Sequence, residues 1–187
     1  MTKQTLDGRH FRNTIGMFAT GVAVIVARAG EEALAMTVNA VSSVSLDPML
    51  VLFCPGKKTR LAQRLVQISG FTINFLRHDQ QDLSTFFAGG WKKPDPPHYE
   101  FVPSKSALRL EGCIASVDCM LEQRLEMGDH WLVIGRVVDL HTGAQPHKPL
   151  LFYKGQYRYV DFSESAPAPD LTNVHDVPFQ MYYDGWD

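Results

Sequence analysis

Three cysteines in 187 residues, Cys54, Cys113 and Cys119, form no CxxC pair, so the chain lacks the thiol spacing that a structural zinc or a disulfide framework needs. An odd count without a signal segment points to reduced thiols and to the cytoplasm. Long apolar runs are missing too. The first, Val22 to Ala27, is far shorter than the ~18 residues of a membrane span, and neither anchor nor signal peptide is expected. Positive charge is not in surplus: 18 Lys and Arg stand against 20 Asp and Glu, whereas binding a phosphate backbone needs a basic excess, so nucleic acid is not an expected partner. Reaction classes fall away on the same ground. No serine sits in a GxSxG elbow, and the seven histidines show no HExxH spacing, which disfavours hydrolysis and leaves no metal site expected. No GxGxxG follows a strand, and Val51 stands where the first glycine of a Walker loop would precede Gly56-Lys57.

What is present is ordinary in bulk, with 45% apolar and 20% charged residues and a length suited to one domain. Residues 1–162 are read as that domain. Residues 163–170 form a Pro/Ala linker, and Phe179, Tyr182, Tyr183 and Trp186 crowd into the last nine positions. A disordered tail seldom carries so many rings. Their expected docking surface is first the chain's own body, then a second subunit, then another protein.

Local patterns predict mainly antiparallel β-structure with short helices. Asp7 can cap a helix with Phe11, Ile15 and Phe18 on one stripe, a lid or packing helix. Strands are expected over Val22 to Ala27, Leu34 to Val41 and Met49 to Cys54, with turns at Gly30-Glu31-Glu32, a solvated acidic pair, and at Asp47-Pro48. Thr59 caps an expected helix from Arg60 to Val66, followed by a strand from Phe71 to Leu76 and a helix from Asp79 or Gln80 to Ala88. Prolines break the segment Trp91 to Pro97. Ile114 to Leu125 and Trp131 to Leu140 read as long strands joined through Met127-Gly128-Asp129, with a last strand region around Leu150 to Val160. Consecutive strands without βαβ units favour a closed or partly closed barrel over a doubly wound sheet.

Three segments carry candidate chemistry. Residues 35–48 place Thr37, Asn39, Ser42, Ser43 and Ser45 where a buried strand would be aliphatic, which suits a flat polar ligand; the alternative is a solvated strand and turn. Cys54-Pro55-Gly56-Lys57-Lys58-Thr59-Arg60 puts positive charge and a hydroxyl at a helix start, where free N–H groups favour a phosphate; the alternative is a solvated basic helix start. His130, after Gly128-Asp129, faces either a ligand or solvent. A β-rich cavity with a phosphate-ready loop, a polar strand edge and no acid, base or nucleophile suits a flavin, which brings its own redox chemistry.

The chain resembles the flavin reductase-like proteins with the FMN-binding split barrel, which include the small reductase partners of two-component flavin monooxygenases. The resemblance spans about residues 11 to 160 and rests on five ordered motifs. They are Phe11-Arg12-Asn13-Thr14-Ile15-Gly16-Met17-Phe18-Ala19-Thr20-Gly21-Val22; Met36-Thr37-Val38-Asn39 with Ser43-Val44-Ser45-Leu46-Asp47-Pro48; Phe71-Thr72-Ile73-Asn74; Leu83-Ser84-Thr85-Phe86-Phe87-Ala88; and Gly128-Asp129-His130. Ala35, Ala40 and Lys57 depart from the family's usual Gly, Ser and Ser.

The resemblance implies an antiparallel split β-barrel in which Thr37, Val38, Asn39, Ala40, Ser42 and Ser43 face the isoalloxazine ring and Cys54, Lys57, Lys58, Thr59 and Arg60 line the phosphate loop. It implies that Ser84 and Phe87 approach from the second helix, that His130 seats the nicotinamide, and that a homodimer completes each site. Asn74 reads as a structural residue of its strand. The expected activity is hydride transfer from NADH or NADPH to FMN or FAD, with reduced flavin passing to a flavin-dependent monooxygenase. The alternatives are a flavin-binding electron-transfer or sensor protein and, less supported, a pyridoxamine phosphate oxidase type.

Overall fold

The computed structural model describes residues 6–143 and 148–160. Three helices and twelve strands are α1 (Gly8–Ile15), β1 (Thr20–Gly21), β2 (Ala23–Ala29), β3 (Glu32–Val38), β4 (Val41–Leu46), β5 (Met49–Phe53), α2 (Arg60–Gln63), β6 (Gly70–Phe75), α3 (Gln81–Phe87), β7 (Phe101–Pro103), β8 (Leu108–Leu110), β9 (Ala115–Met127), β10 (His130–Thr142), β11 (Leu150–Tyr153) and β12 (Gln156–Tyr159). Every pairing is antiparallel, in a seven-stranded sheet ordered β3-β2-β6-β9-β10-β5-β4, a three-stranded sheet β1-β11-β12 and the hairpin β7-β8.

Strand β2 explains why Val22 to Ala27 lacks polar alternation. Ala23, Ile25 and Ala27 enter a core with Phe53, Phe71, Ile73 and Val133, while Val22, Val24 and Val26 enter a second core with Leu76, Leu110 and Leu150. A strand covered on both faces reads as one apolar run. Each buried Val, Ile, Leu or Phe among them contributes roughly 1.5–3 kcal/mol of burial. In the first core Phe71 meets Phe53 edge-on, with centroids 4.9 Å apart, and passes over Gly135 of β10. A methyl group on Gly135 would come within 2.4 Å of the Phe71 ring, so close approach of strand and ring requires glycine there.

Two expectations differ from the structure. The strand expected over Leu34 to Val41 stops at Val38, and Val41 begins a separate strand. β3 and β4 are the two opposite edges of the large sheet, yet only Asn39 and Ala40 join them. Two residues between strand ends reach no more than about 10 Å, so the sheet curls until its edges nearly meet, with no ladder between them. That is a split barrel. The helix expected from Arg60 to Val66 ends at Gln63 and is followed by a 3-10 turn over Leu65–Gln67, with Leu61, Ala62 and Leu65 in the core. The capping by Asp7 and Thr59 is as expected: Asp7 Oδ1 accepts from the N–H groups of Arg9 and His10, and Thr59 Oγ1 accepts from that of Ala62. The small hairpin β7-β8 and the turn between β11 and β12 were not foreseen. No helix among the described residues is long and apolar enough to cross a membrane.

Candidate functional site

Curling of the sheet gathers the three candidate segments along one seam, flanked by a fourth, the Ser84 and Phe87 helix that the resemblance adds. At one end Thr37, next to last in β3, donates its hydroxyl to the Ser84 carbonyl of α3 at 2.7 Å. In the middle the Cys54 N–H donates to the Ala40 carbonyl at 3.2 Å, closing the linker onto the phosphate loop. At the other end Lys57 N–H donates to the Asp129 carbonyl at 3.0 Å and Trp131 N–H to the Pro55 carbonyl at 2.9 Å. These bonds clip the tip of the β9-β10 hairpin, and with it His130, over Gly56. Thr37, Ala40, Cys54, Gly56 and His130 thus follow one another along a single seam although 93 positions separate the outermost two in sequence.

The seam is polar and under-bonded. Asn39 and Ala40 are exposed, Val38 is buried beneath them, and Asn39 Nδ2 donates to Thr20 Oγ1 at 3.3 Å. Ser42 and Ser43 lie exposed on β4, where Ser42 Oγ donates to the Ser43 carbonyl. As sheet edges, β3 and β4 have one side of their backbone without ladder partners among the described residues. A planar heterocycle with alternating carbonyl and N–H groups has donors and acceptors to meet there.

The phosphate loop is differently built from its sequence reading. Lys57 Nζ is tied to Glu126 Oε1 of β9, and Arg60 to Glu32 at the far end of β3. Glu32 also binds Arg64 at 3.2 Å. Two of the three cations are therefore already neutralised, Lys57 by Glu126 and Arg60 by Glu32, which is not the solvated turn residue that its sequence position predicts. Lys58 is exposed, and it makes no ion pair among the described residues. Thr59 Oγ1 donates to the Gly56 carbonyl at 2.8 Å. The backbone N–H groups of Lys58, Arg60 and Leu61 reach no acceptor among the described residues. These orphan donors, with Lys58, fit an anionic phosphate better than the paired side chains do.

His130 is half exposed, and its Nδ1 lies 2.8 Å from Asp129 Oδ1. The hydrogen bond from His130, followed by its charge, holds the Asp129 carboxyl below its ordinary value. Nε2 lies on the side of Gly56, where an added methyl group would be 3.6 Å away. The fourth segment sits deeper than its motif implied. Ser84 is fully buried, and its hydroxyl shares a 2.9 Å hydrogen bond with Tyr157 of β12. Phe87, half-buried, stacks among Phe86, Tyr99 and Phe101 at centroid distances of 5.1, 5.1 and 6.0 Å. Ser84 flanks the seam through its carbonyl bond to Thr37, while Phe87 packs in the aromatic cluster one turn further along α3. Among the described residues no cluster of His, Cys, Asp and Glu could hold a metal ion.

Sequence reasoning missed Glu126, Glu32, Trp131 and Tyr157. Trp131 lies under Lys57, its ring centroid 5.9 Å from Nζ. Alternation along β9 and β10 marked Glu126 and Trp131 only as solvent-facing or core-facing, and nothing local on β3 or β12 tied Glu32 to Arg60 or Tyr157 to Ser84.

Comparison with known proteins agrees with this geometry. Residues 15–161 match the Flavin reductase like domain family. The chain is 38% identical over 162 residues to the NADH-dependent FMN reductase AsuE2 of Streptomyces nodosus subsp. asukaensis, covering 82% of this chain and 85% of that protein. It is 34% identical over 169 residues to HsaB, the reductase subunit of a flavin-dependent monooxygenase from Rhodococcus jostii (strain RHA1), covering 89% and 85%. The solved structure of flavin reductase PheA2 in its native state superposes with a TM-score of 0.78 at 36% identity, covering 83% of this chain and 99% of that one. The chain belongs to the flavin reductase-like domain family, built as an antiparallel split barrel.

Proposed function

We propose that this chain is an NADH-dependent flavin reductase that passes reduced flavin to a separate monooxygenase. The observation that carries the reading is the seam itself, where two sheet edges meet at Asn39-Ala40 beside three orphan N–H groups. Relatives named NADH-dependent FMN reductase and monooxygenase reductase subunit support it. A bound flavin supplies the hydride acceptor that no side chain here offers. The chain's own work is placement. Lys58 and the N–H groups of Lys58, Arg60 and Leu61 hold the phosphate. Thr37, Val38, Asn39, Ala40, Ser42 and Ser43, with Cys54 behind them, meet the ring system. Thr59 shapes the loop, and the Lys57–Glu126 and Arg60–Glu32 pairs brace it from either side. His130, oriented by Asp129, seats the nicotinamide, so that proximity takes the place of acid and base. Ser84 and Phe87 support the floor of the seam from α3.

A homodimer fits this reading. Val44, Leu46 and Met49 stand exposed around the β4-β5 turn, and a second copy would cover them. Three free thiols fit a reducing compartment, the cytoplasm.

The test is the visible spectrum of the protein with FMN or FAD under anaerobic conditions, before and after NADH. Bleaching of the band near ~450 nm, far faster than for flavin without protein, is expected. Flavin bound but left oxidised by both NADH and NADPH would overturn the reductase reading and leave a binding or electron-transfer protein. Failure to bind either flavin would overturn both.

A further inference from the structure

Among the described residues nothing covers helix α1. It has eight residues, none of them buried. On the helix Phe11 is 60% and Ile15 57% exposed, and in the turn that follows it Met17 and Phe18 are 61% and 75% exposed. Isolated helices shorter than about 12 residues are marginal in water, so contact with something else must hold this one. Among the described residues its ties are the Asp7 cap and the Lys154 N–H, which donates to the Gly16 carbonyl at 2.8 Å. The polar side of α1 is basic, with Arg9, His10 and Arg12. Neither arginine makes an ion pair among the described residues.

The sequence after Val160 has the complementary composition. All 18 Lys and Arg lie within residues 1–160, whereas six of the 20 Asp and Glu follow them: Asp161, Glu164, Asp170, Asp176, Asp184 and Asp187. Phe179, Tyr182, Tyr183 and Trp186 fall at i, i+3, i+4 and i+7, the spacing that presents four rings to one side of a helical turn. Reach is no obstacle. Val160 follows β12, which lies two strands from β1, a separation of about 10 Å. The residues between Val160 and Phe179 can span up to about 60 Å.

We propose that residues 171–187 dock on the apolar stripe of α1 in their own chain. The four rings cover Phe11, Ile15 and Phe18, and Asp176, Asp184 and Asp187 face Arg9 and Arg12. The dock lies close to the flavin seam, because Thr20, which accepts from Asn39, stands five positions after the end of α1. The proposal stands independently of the flavin reading.

Amide hydrogen exchange tests it on three proteins: the full chain, a chain ending at Phe162, and the full-length Trp186→Ser variant, which reads the same quantity should truncation impair folding. The α1 amides should exchange at least tenfold faster in both altered proteins, with β2 and β6 unchanged. Carbodiimide should link tail carboxylates to Lys154, and in a mixture of light and heavy-isotope chains the linked pairs should be of one mass. Equal α1 exchange in the three proteins overturns the proposal. So does α1 protection that rises with protein concentration and survives truncation, which assigns the helix face to a second copy. Mixed-mass links would place the tail on a partner. NADH oxidation in the same samples is scored separately, so the dock and the flavin reading can fail independently.

Discussion

His130 shows how much one residue's role depends on its neighbours. Its position after Gly128-Asp129 marked a turn, and the Asp129 hydrogen bond together with the bridge to Gly56 adds orientation. Asp129 is held below its ordinary value, so it stays ionised through the neutral range and releases the imidazole only as pH falls below the usual carboxylate range. Replacing His130 with Ala should raise the KM for NADH about fivefold, the equivalent of one hydrogen bond of ~1 kcal/mol, while flavin affinity stays within twofold. Steady-state kinetics beside a flavin titration checks this; an unchanged KM removes His130 from the nicotinamide site. Lys57 and Arg60 teach the opposite lesson. Their positive charge was legible at a helix start, but whether it was available depended on Glu126 and Glu32, on other strands.

Among the elements, β6 carries a polar residue with a purely internal task. Asn74 is fully buried, donates from Nδ2 to the Val24 carbonyl and Thr72 Oγ1, and accepts at Oδ1 from the Leu110 N–H and Ser116 Oγ, each at 2.9 Å. Four groups from four elements converge on one amide. The Phe71-Thr72-Ile73-Asn74 motif therefore belongs to the scaffold, which its placement on a central strand made readable. Substituting Ala leaves several of those groups buried without partners, at a cost of about 3 kcal/mol. Denaturant unfolding should show the midpoint falling at unchanged slope; a loss below ~1 kcal/mol would mean that water satisfies the network. The β3-β4 segment was harder to read. Thr37 to Ser45 alternates almost smoothly, and nothing local distinguishes one long strand from two strands parted by Asn39-Ala40. Only the sheet order does.

Across the whole molecule, burial has silenced two of the three thiols. Desolvation pushes Cys113 and Cys119 from the ordinary 9.0 up to about 12. A group whose folded value is raised lends its stability below the unfolded value and loses it as pH climbs toward the folded one. Stability should therefore hold below pH 9 and decline toward 12, where only the unfolded chain ionises these thiols. Urea midpoints at pH 8 and pH 11 should show a steeper alkaline loss in the natural chain than in a Cys113→Ala, Cys119→Ala variant. Equal slopes would show that the thiols take no part.

By itself the sequence determined the antiparallel class, the doubly buried β2, the caps of Asp7 and Thr59, the long β9-β10 hairpin and the five motifs that mark the family. Each of these rests on side-chain period, on hydrogen bonds a few residues away, or on residue order, and all three are written locally. Only the tertiary structure decided that β3 and β4 part to opposite edges and meet again as a seam. It also decided that Lys57 answers to a carboxylate 69 positions away and that Ser84 faces Tyr157. These outcomes depend on how far the sheet must curl to bury its two cores, a balance summed over the whole chain, which no short window of sequence contains.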